Sequence, residues 1–194
     1  TNPRGASGTI SRTVTVTDST APVITLTGSS IVTLERGATY TDLGATSSEG
    51  QAVTNDSATA INDGTNNFTV GTYTITYTTT DAANNTGTKT RTVNVVDTTP
   101  PTITSGVTGV DLTENTAAGQ TIYSITYSAV ANEVVTLSIS GTDAPLLNLA
   151  AGVVTLIDDP VYATKSSYSF DVTASDEYDN TSSITVTFSI TEDA

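Results

Sequence analysis

The chain has 194 residues, 36% of them hydrophobic, and sets 20 acidic residues against 6 basic ones for a net charge of −14. That length accommodates two ordinary domains, each with its own core, and the charge argues against a nucleic-acid or anionic-membrane partner, because phosphate binding needs clustered Lys and Arg. Cys, Met, Trp and His are all absent, which removes thiolate zinc sites, disulfide staples, thiol nucleophiles and imidazole bases together.

In chain order, the first recognisable element is Thr13-Val14-Thr15-Val16-Thr17, whose period of two predicts a half-buried strand. In Gly71-Thr72-Tyr73-Thr74-Ile75-Thr76-Tyr77-Thr78 the Tyr, Ile and Tyr share one face and the threonines the other. The same alternation returns in residues 92–95, 168–172 and 184–190. β-Branched residues fit a pleated surface, and no long stretch carries apolar residues at helical spacing. The expected class is all-β. No apolar run approaches the roughly 20 residues of a spanning helix. The first residues lack the basic-then-apolar pattern of a signal peptide, so any export signal or anchor is expected outside this segment.

An internal repeat organises the chain. Residues 8–25, GTISRTVTVTDSTAPVIT, align without gaps on residues 87–104, GTKTRTVNVVDTTPPTIT, with eleven of eighteen positions identical. Each copy is a strand, an Asp, a Thr-Pro-containing linker and the start of another strand. Proline cannot donate to a ladder and extends its predecessor, so the linker should be short and stiff. The expected units are a terminal strand of a preceding module or N-terminal tail over 1–18, one module over 19–97 and a second over 98–194. An orphan strand at the start must pair locally, with a neighbouring subunit by strand addition, or fray.

The first module resembles the bacterial immunoglobulin-like repeats of large surface proteins. The residues that carry the resemblance are Ala21-Pro22-Val23-Ile24-Thr25-Leu26, Val32-Thr33-Leu34-Glu35-Arg36-Gly37, Tyr40-Thr41-Asp42-Leu43-Gly44-Ala45, the strand from Gly71 and the turn Thr80-Asp81-Ala82-Ala83-Asn84-Asn85. The second module resembles a bacterial cadherin-like repeat, through Leu112-Thr113-Glu114-Asn115-Thr116, Gly152-Val153-Val154-Thr155-Leu156 and the run from Tyr168 to Asp176. Together they imply two tandem immunoglobulin-like/cadherin-like antiparallel β-sandwiches of about seven strands each, and an extracellular or cell-surface location. Absence of cysteine fits a microbial exterior.

The cadherin-like resemblance implies calcium at module junctions. Calcium takes six to eight oxygens at about 2.3–2.6 Å, which loops of adjoining modules can supply together. The loop before the last strand should bring Asp176, Asp179 and Asn180 to face the linker acid Asp97, with Glu35 approaching from the start of its module. By the same geometry Asp81 should approach Asp18, and Glu114 the junction beyond the C-terminus. Where the family carries an Asp-x-Glu pair, this chain has Val161-Tyr162-Ala163, so the family's set is incomplete in the second module. The alternative role for these acids is that of solvated turn formers. Tyr73 and Tyr168 each open a penultimate strand, where a Tyr often bonds back to upstream backbone. Asn55, Asn67, Asn84 and Asn180 each open an Asn-x-Ser/Thr sequon, a candidate glycosylation acceptor.

These features suggest a structural or adhesive stalk segment whose partners are the neighbouring modules of the same chain. Two alternatives come from other classes: a glycan- or protein-binding module, and a subunit of an extracellular polymer joining like subunits. An enzyme would have to work with paired carboxylates alone, and no two acids are marked as such a pair.

Overall fold

A computed structural model describes residues 5, 10–56 and 69–193. Fifteen strands and one turn of 3-10 helix at Ala144–Leu146 make up the regular structure of these residues. Two compact units emerge, one of Thr1–Val32, Thr41–Asn62 and Tyr73–Val93, the other of Thr33–Tyr40, Asp63–Thr72 and Asn94–Ala194.

The first six strands are β1 (Ile24–Leu26), β2 (Ile31–Glu35), β3 (Ala45–Ser47), β4 (Thr54–Asn55), β5 (Gly71–Thr80) and β6 (Thr86–Val96). β1 pairs antiparallel with β3, and the order β2-β6-β5-β4 forms a four-stranded sheet. Alternation in β5 works as its sequence predicts: Ile75 and Tyr77 are buried while Thr72 and Thr74 are exposed. Burying such side chains contributes about 1.5–3 kcal/mol each.

Arg91 of β6 is buried in the first unit together with Ile24, Ile75, Tyr77 and Val93. Its guanidinium pairs with Asp42 and donates to the carbonyls of Ser29, Thr27 and Gly44, and it lies over the Tyr77 ring at 5.4 Å. The Tyr77 hydroxyl donates to the same Asp42 carboxylate at 2.5 Å. A buried charge is tolerated only with such complete pairing, so Arg91 and Asp42 act as one neutral, hydrogen-bonded plug.

The later strands are β7 (Thr102–Ile103), β8 (Leu112–Thr113), β9 (Thr121–Ser124), β10 (Tyr127–Ser128), β11 (Thr136–Ser140), β12 (Leu147–Ala150), β13 (Val153–Leu156), β14 (Ser167–Ser175) and β15 (Thr181–Thr191). One sheet has the order β11-β14-β15-β8 and another β12-β13-β9, while β7 pairs with β10. The β14–β15 register sets Tyr168 opposite Phe188 and Phe170 opposite Val186. Every second residue therefore reaches one core, where Ile122, Leu147, Val154, Leu156, Val172 and Ile190 join them. The rings of Tyr168 and Phe188 stack at 4.7 Å, and Tyr123 meets Phe170 edge-on at 6.2 Å. Tyr123 also donates its hydroxyl to an upstream carbonyl, that of Gly106. Tyr168, expected to bond back in that manner, instead stacks its ring against Phe188 and sits beneath the Lys165 ammonium at 5.1 Å.

One expected strand is corrected. Residues 13–17 form no strand, and Val14 and Val16 are 76% and 90% exposed. Their repeat counterparts Val93 and Val95 in β6 are 0% and 2% exposed. The pattern is the same; what differs is a partner. A strand needs a ladder for its N–H and C=O groups, and none of the described residues supplies one to residues 13–17.

Candidate functional site

Three acidic side chains of the second unit converge. Asp97 is the first residue after β6, Asp176 the first after β14, and Glu133 lies in the loop between β10 and β11. Each offers a carboxylate oxygen, and these oxygens lie within 4.8 Å of one another. Opposite ligands of a calcium ion at about 2.4 Å are separated by about that distance.

Asp176 is held by its own turn. Its Oδ1 accepts the N–H groups of Tyr178 and Asn180 at 2.8 and 2.9 Å, and its Oδ2 accepts the Asn180 side-chain amide at 2.8 Å. Burial opposes its ionisation, but the donors of Asn180 and Tyr178 outweigh that and hold the carboxyl below its ordinary range. Asp179, with φ of 65°, supplies the left-handed residue that closes the turn, a conformation that Asp and Asn tolerate better than most residues.

The turn at Asp81 is built alike. Asp81 Oδ1 accepts from the N–H groups of Ala83 and Asn85, Oδ2 accepts from the Asn85 amide, and Asn84 takes the left-handed φ of 69°. Asn85 then donates to the Asp18 carbonyl at 3.2 Å, as Asn180 does to that of Asp97 at 3.2 Å. Asp18 and Asp97 occupy the same place in the sequence repeat. Among the described residues, only the Asp176 turn is joined by further carboxylates, those of Asp97 and Glu133, into a group of three.

Glu133 is the unusual member. Its Oε2 accepts the Val130 N–H at 2.9 Å, whereas Oε1 is buried with no hydrogen-bond donor. Burial pushes its carboxyl up, and the charges of Asp97 and Asp176 push it further. Two ionised carboxylates have no hydrogen to share, so this oxygen finds a partner only when a proton or a cation enters the cluster. A proton shared between Glu133 and Asp176 fits the residues present, and so does a cation.

Arg36, directly after β2, supplies the one positive charge in contact with these groups among the described residues. Its Nη1 lies 3.3 Å from Asp97 Oδ2 and 2.6 Å from Glu177 Oε1. Nη2 donates to the carbonyl of Asn132 at 3.2 Å, and the guanidinium lies over the Tyr178 ring at 5.6 Å. The side chains of Arg36 and Asp97 are 7% and 0% exposed.

The other candidate acids fall elsewhere. Glu35 points to the linker, accepting from the Thr98 N–H at 2.6 Å and from the hydroxyls of Thr98 and Thr99 at 3.0 Å. The Thr98 N–H, foremost among these donors, keeps its carboxyl below the ordinary range. Glu114 accepts from the N–H groups of Tyr162 and Asp193. Asp18 accepts from the N–H of Thr20, and Asp179 lies outside the group of three. Of the sequon asparagines, Asn180 and Asn55 have their amides engaged, with Asp176 and Asp42, and Asn84 is exposed. Asn67 lies outside the described residues. Sequence reasoning missed Glu133 and Arg36 as site residues: the stretch around Glu133 has no counterpart in the repeat, and Arg36 stood out only as part of the motif that carries the family resemblance.

Residues 24–95 match the family described as bacterial surface protein, Ig-like domain, a span that opens with β1 and closes one residue before the end of β6. This stretch is therefore similar to immunoglobulin-like domains of bacterial surface proteins. Over most of the chain the fold is similar to cadherin extracellular domains. Protocadherin gamma B7 domains 1–4 share 16% identity over 89% of this chain and 51% of that one, with a TM-score of 0.48. The chain spans about half the length of that structure. Drosophila N-cadherin EC1-3 shares 14% identity over 90% of this chain and 68% of that one, with a TM-score of 0.45. Human protocadherin-24 EC1-2 shares 16% over 90% and 99%, with a TM-score of 0.46. These likenesses concern the fold alone and assign no role to any residue. No curated protein sequence matches the chain. Among the described residues no helix is long and apolar enough to cross a membrane, which says nothing of a β-barrel.

Proposed function

We propose that this chain is a non-enzymatic structural or adhesive segment of a bacterial surface protein, stiffened by calcium at Asp97, Glu133 and Asp176. The observation that carries the reading is the grouping of Glu133, whose buried Oε1 has no donor, with the buried carboxylates of Asp97 and Asp176. Asp97 belongs to the linker of the sequence repeat, so a cation there would tie the linker to the β14–β15 turn and to the Glu133 loop. When bound, calcium supplies charge neutralisation and a rigid oxygen cage. The residues themselves set the geometry: Asn180 fixes Asp176, and the Val130 N–H fixes Glu133. Thermal melting with millimolar calcium against EDTA tests this, because a cation bound only by the folded form raises the midpoint by mass action. An unchanged melt would remove calcium from the account. The stalk itself is tested by small-angle scattering, where a compact particle would contradict it.

A second reading is supported by the exposure of Val14 and Val16 against the burial of Val93 and Val95. Residues 9–17 carry the side-chain set of a closing sandwich strand, so they are suited to adding to a sandwich that lacks one, as in a polymer of like subunits. Deleting residues 1–17 without altering self-association would dispose of it.

A further inference from the structure

We infer that Arg36 is a built-in counter-cation of the acidic centre, holding it together when no divalent cation is bound and setting how strongly the fold depends on one. The inference deepens the calcium reading above and, in its second half, rests on it.

Four carboxylates, those of Asp97, Glu133, Asp176 and Glu177, crowd this part of the second unit, and one guanidinium faces them. Asp97 cannot be solvated, since its side chain is fully buried. A buried carboxylate without a positive partner is strongly disfavoured, and Arg36 is that partner. Its placement is local and rigid: its N–H donates to the Val96 carbonyl at 2.7 Å, which sets it beside Asp97. The same guanidinium reaches the carbonyl of Asn132, whose left-handed φ of 62° begins the approach of Glu133. One side chain thus neutralises Asp97 and fastens the loop that delivers Glu133.

The contrast with Arg91 shows what is distinctive. Among the described residues Arg91 meets one carboxylate and three carbonyls, a set with one charge of each sign. Arg36 meets an excess of negative charge, and its Nε remains buried without an acceptor. It satisfies the centre only in part, leaving charge for a divalent cation while competing with that cation for Asp97 Oδ2. Calcium and Arg36 are therefore alternative and mutually repelling neutralisers of the same carboxylate. Two cations several ångströms apart in a partly buried site repel strongly enough to weaken binding about tenfold or more.

The experiment uses the full 194-residue chain as native protein, Arg36→Gln and Arg36→Lys, each melted in EDTA and in millimolar calcium chloride, with calcium affinity measured by titration calorimetry. Gln keeps a donor for Asn132 but no charge; Lys keeps the charge. The expected result is a lower EDTA midpoint for R36Q, a smaller drop for R36K, a larger calcium-induced rise for R36Q than for native protein, and calcium binding to R36Q about tenfold tighter. If R36Q unfolds in EDTA but folds in calcium, the inference is upheld in its strongest form. Equal EDTA midpoints for R36Q and native protein overturn it, as do equal calcium responses, which would leave the calcium reading standing. Rescue of R36Q by calcium that leaves native protein unmoved upholds Arg36 and removes calcium from the native chain. No response from either protein overturns both.

Discussion

The side-chain amide of Asn180 donates to the main-chain carbonyl of Asp97 at 3.2 Å while also donating to the Asp176 carboxylate at 2.8 Å. One amide therefore ties the exit of β6 to the β14–β15 turn and fixes one of the three converging carboxylates. Asn85 does the same for Asp18 and Asp81. Asn180→Ala removes both bonds and leaves a buried carboxylate short of a donor. Loss of such a buried partner costs about 1–3 kcal/mol, so the urea midpoint should fall while the slope stays constant. Calcium should recover part of the loss.

Arg91→Ala takes the guanidinium away from Asp42 and from the carbonyls of Ser29, Thr27 and Gly44. Breaking a buried pair from one side costs about 3–5 kcal/mol, a large fraction of a domain's stability. Chemical denaturation should register a loss of that size, and Arg91→Lys should recover little, because an ammonium cannot span the fork of acceptors.

Glu133→Gln removes a charge that the fold holds at a cost. Burial and the neighbouring Asp97 and Asp176 raise the carboxyl above its ordinary value. A raised carboxylate favours folding below its unfolded pKa and loses that contribution as pH rises through the folded one. At neutral pH in EDTA the variant should therefore melt above the native protein. In calcium the order should reverse, since the amide gives up a charged ligand. An EDTA midpoint below native would contradict this.

Asp81 carries the opposite sign. The Asn85 amide, with the N–H groups of Asn85 and Ala83, holds its carboxyl below the ordinary range. Its contribution is complete above the unfolded value of about 4 and disappears as pH falls through the lower, folded one. Asp81→Asn should be less stable than native at pH 7, and circular dichroism during acid titration should show the gap narrowing below about pH 4.

The strands were legible because a period of two is a local property. Tyr73-Thr74-Ile75-Thr76-Tyr77 announces β5 wherever it lies, and the repeat marks Asp18 and Asp97 as equivalent before any coordinate is known. Part of the site was legible too, since Asp97 and Asp176 each follow a recognisable strand. Glu133 and Arg36 were not, because no local pattern brings residue 36 beside 97 and 177; only chain folding does.

Alternating side chains made residues 13–17 and 92–95 look alike, yet only the latter belong to a sheet. Sequence alone determined which faces could be apolar, where the turns fall and that the acids outnumber the bases. Tertiary structure decided which strand found a ladder, which tyrosine bonded back and which carboxylates lost their water. The reason is physical: side-chain alternation is written in neighbours along the chain, whereas hydrogen-bond partners and desolvation come from neighbours in space.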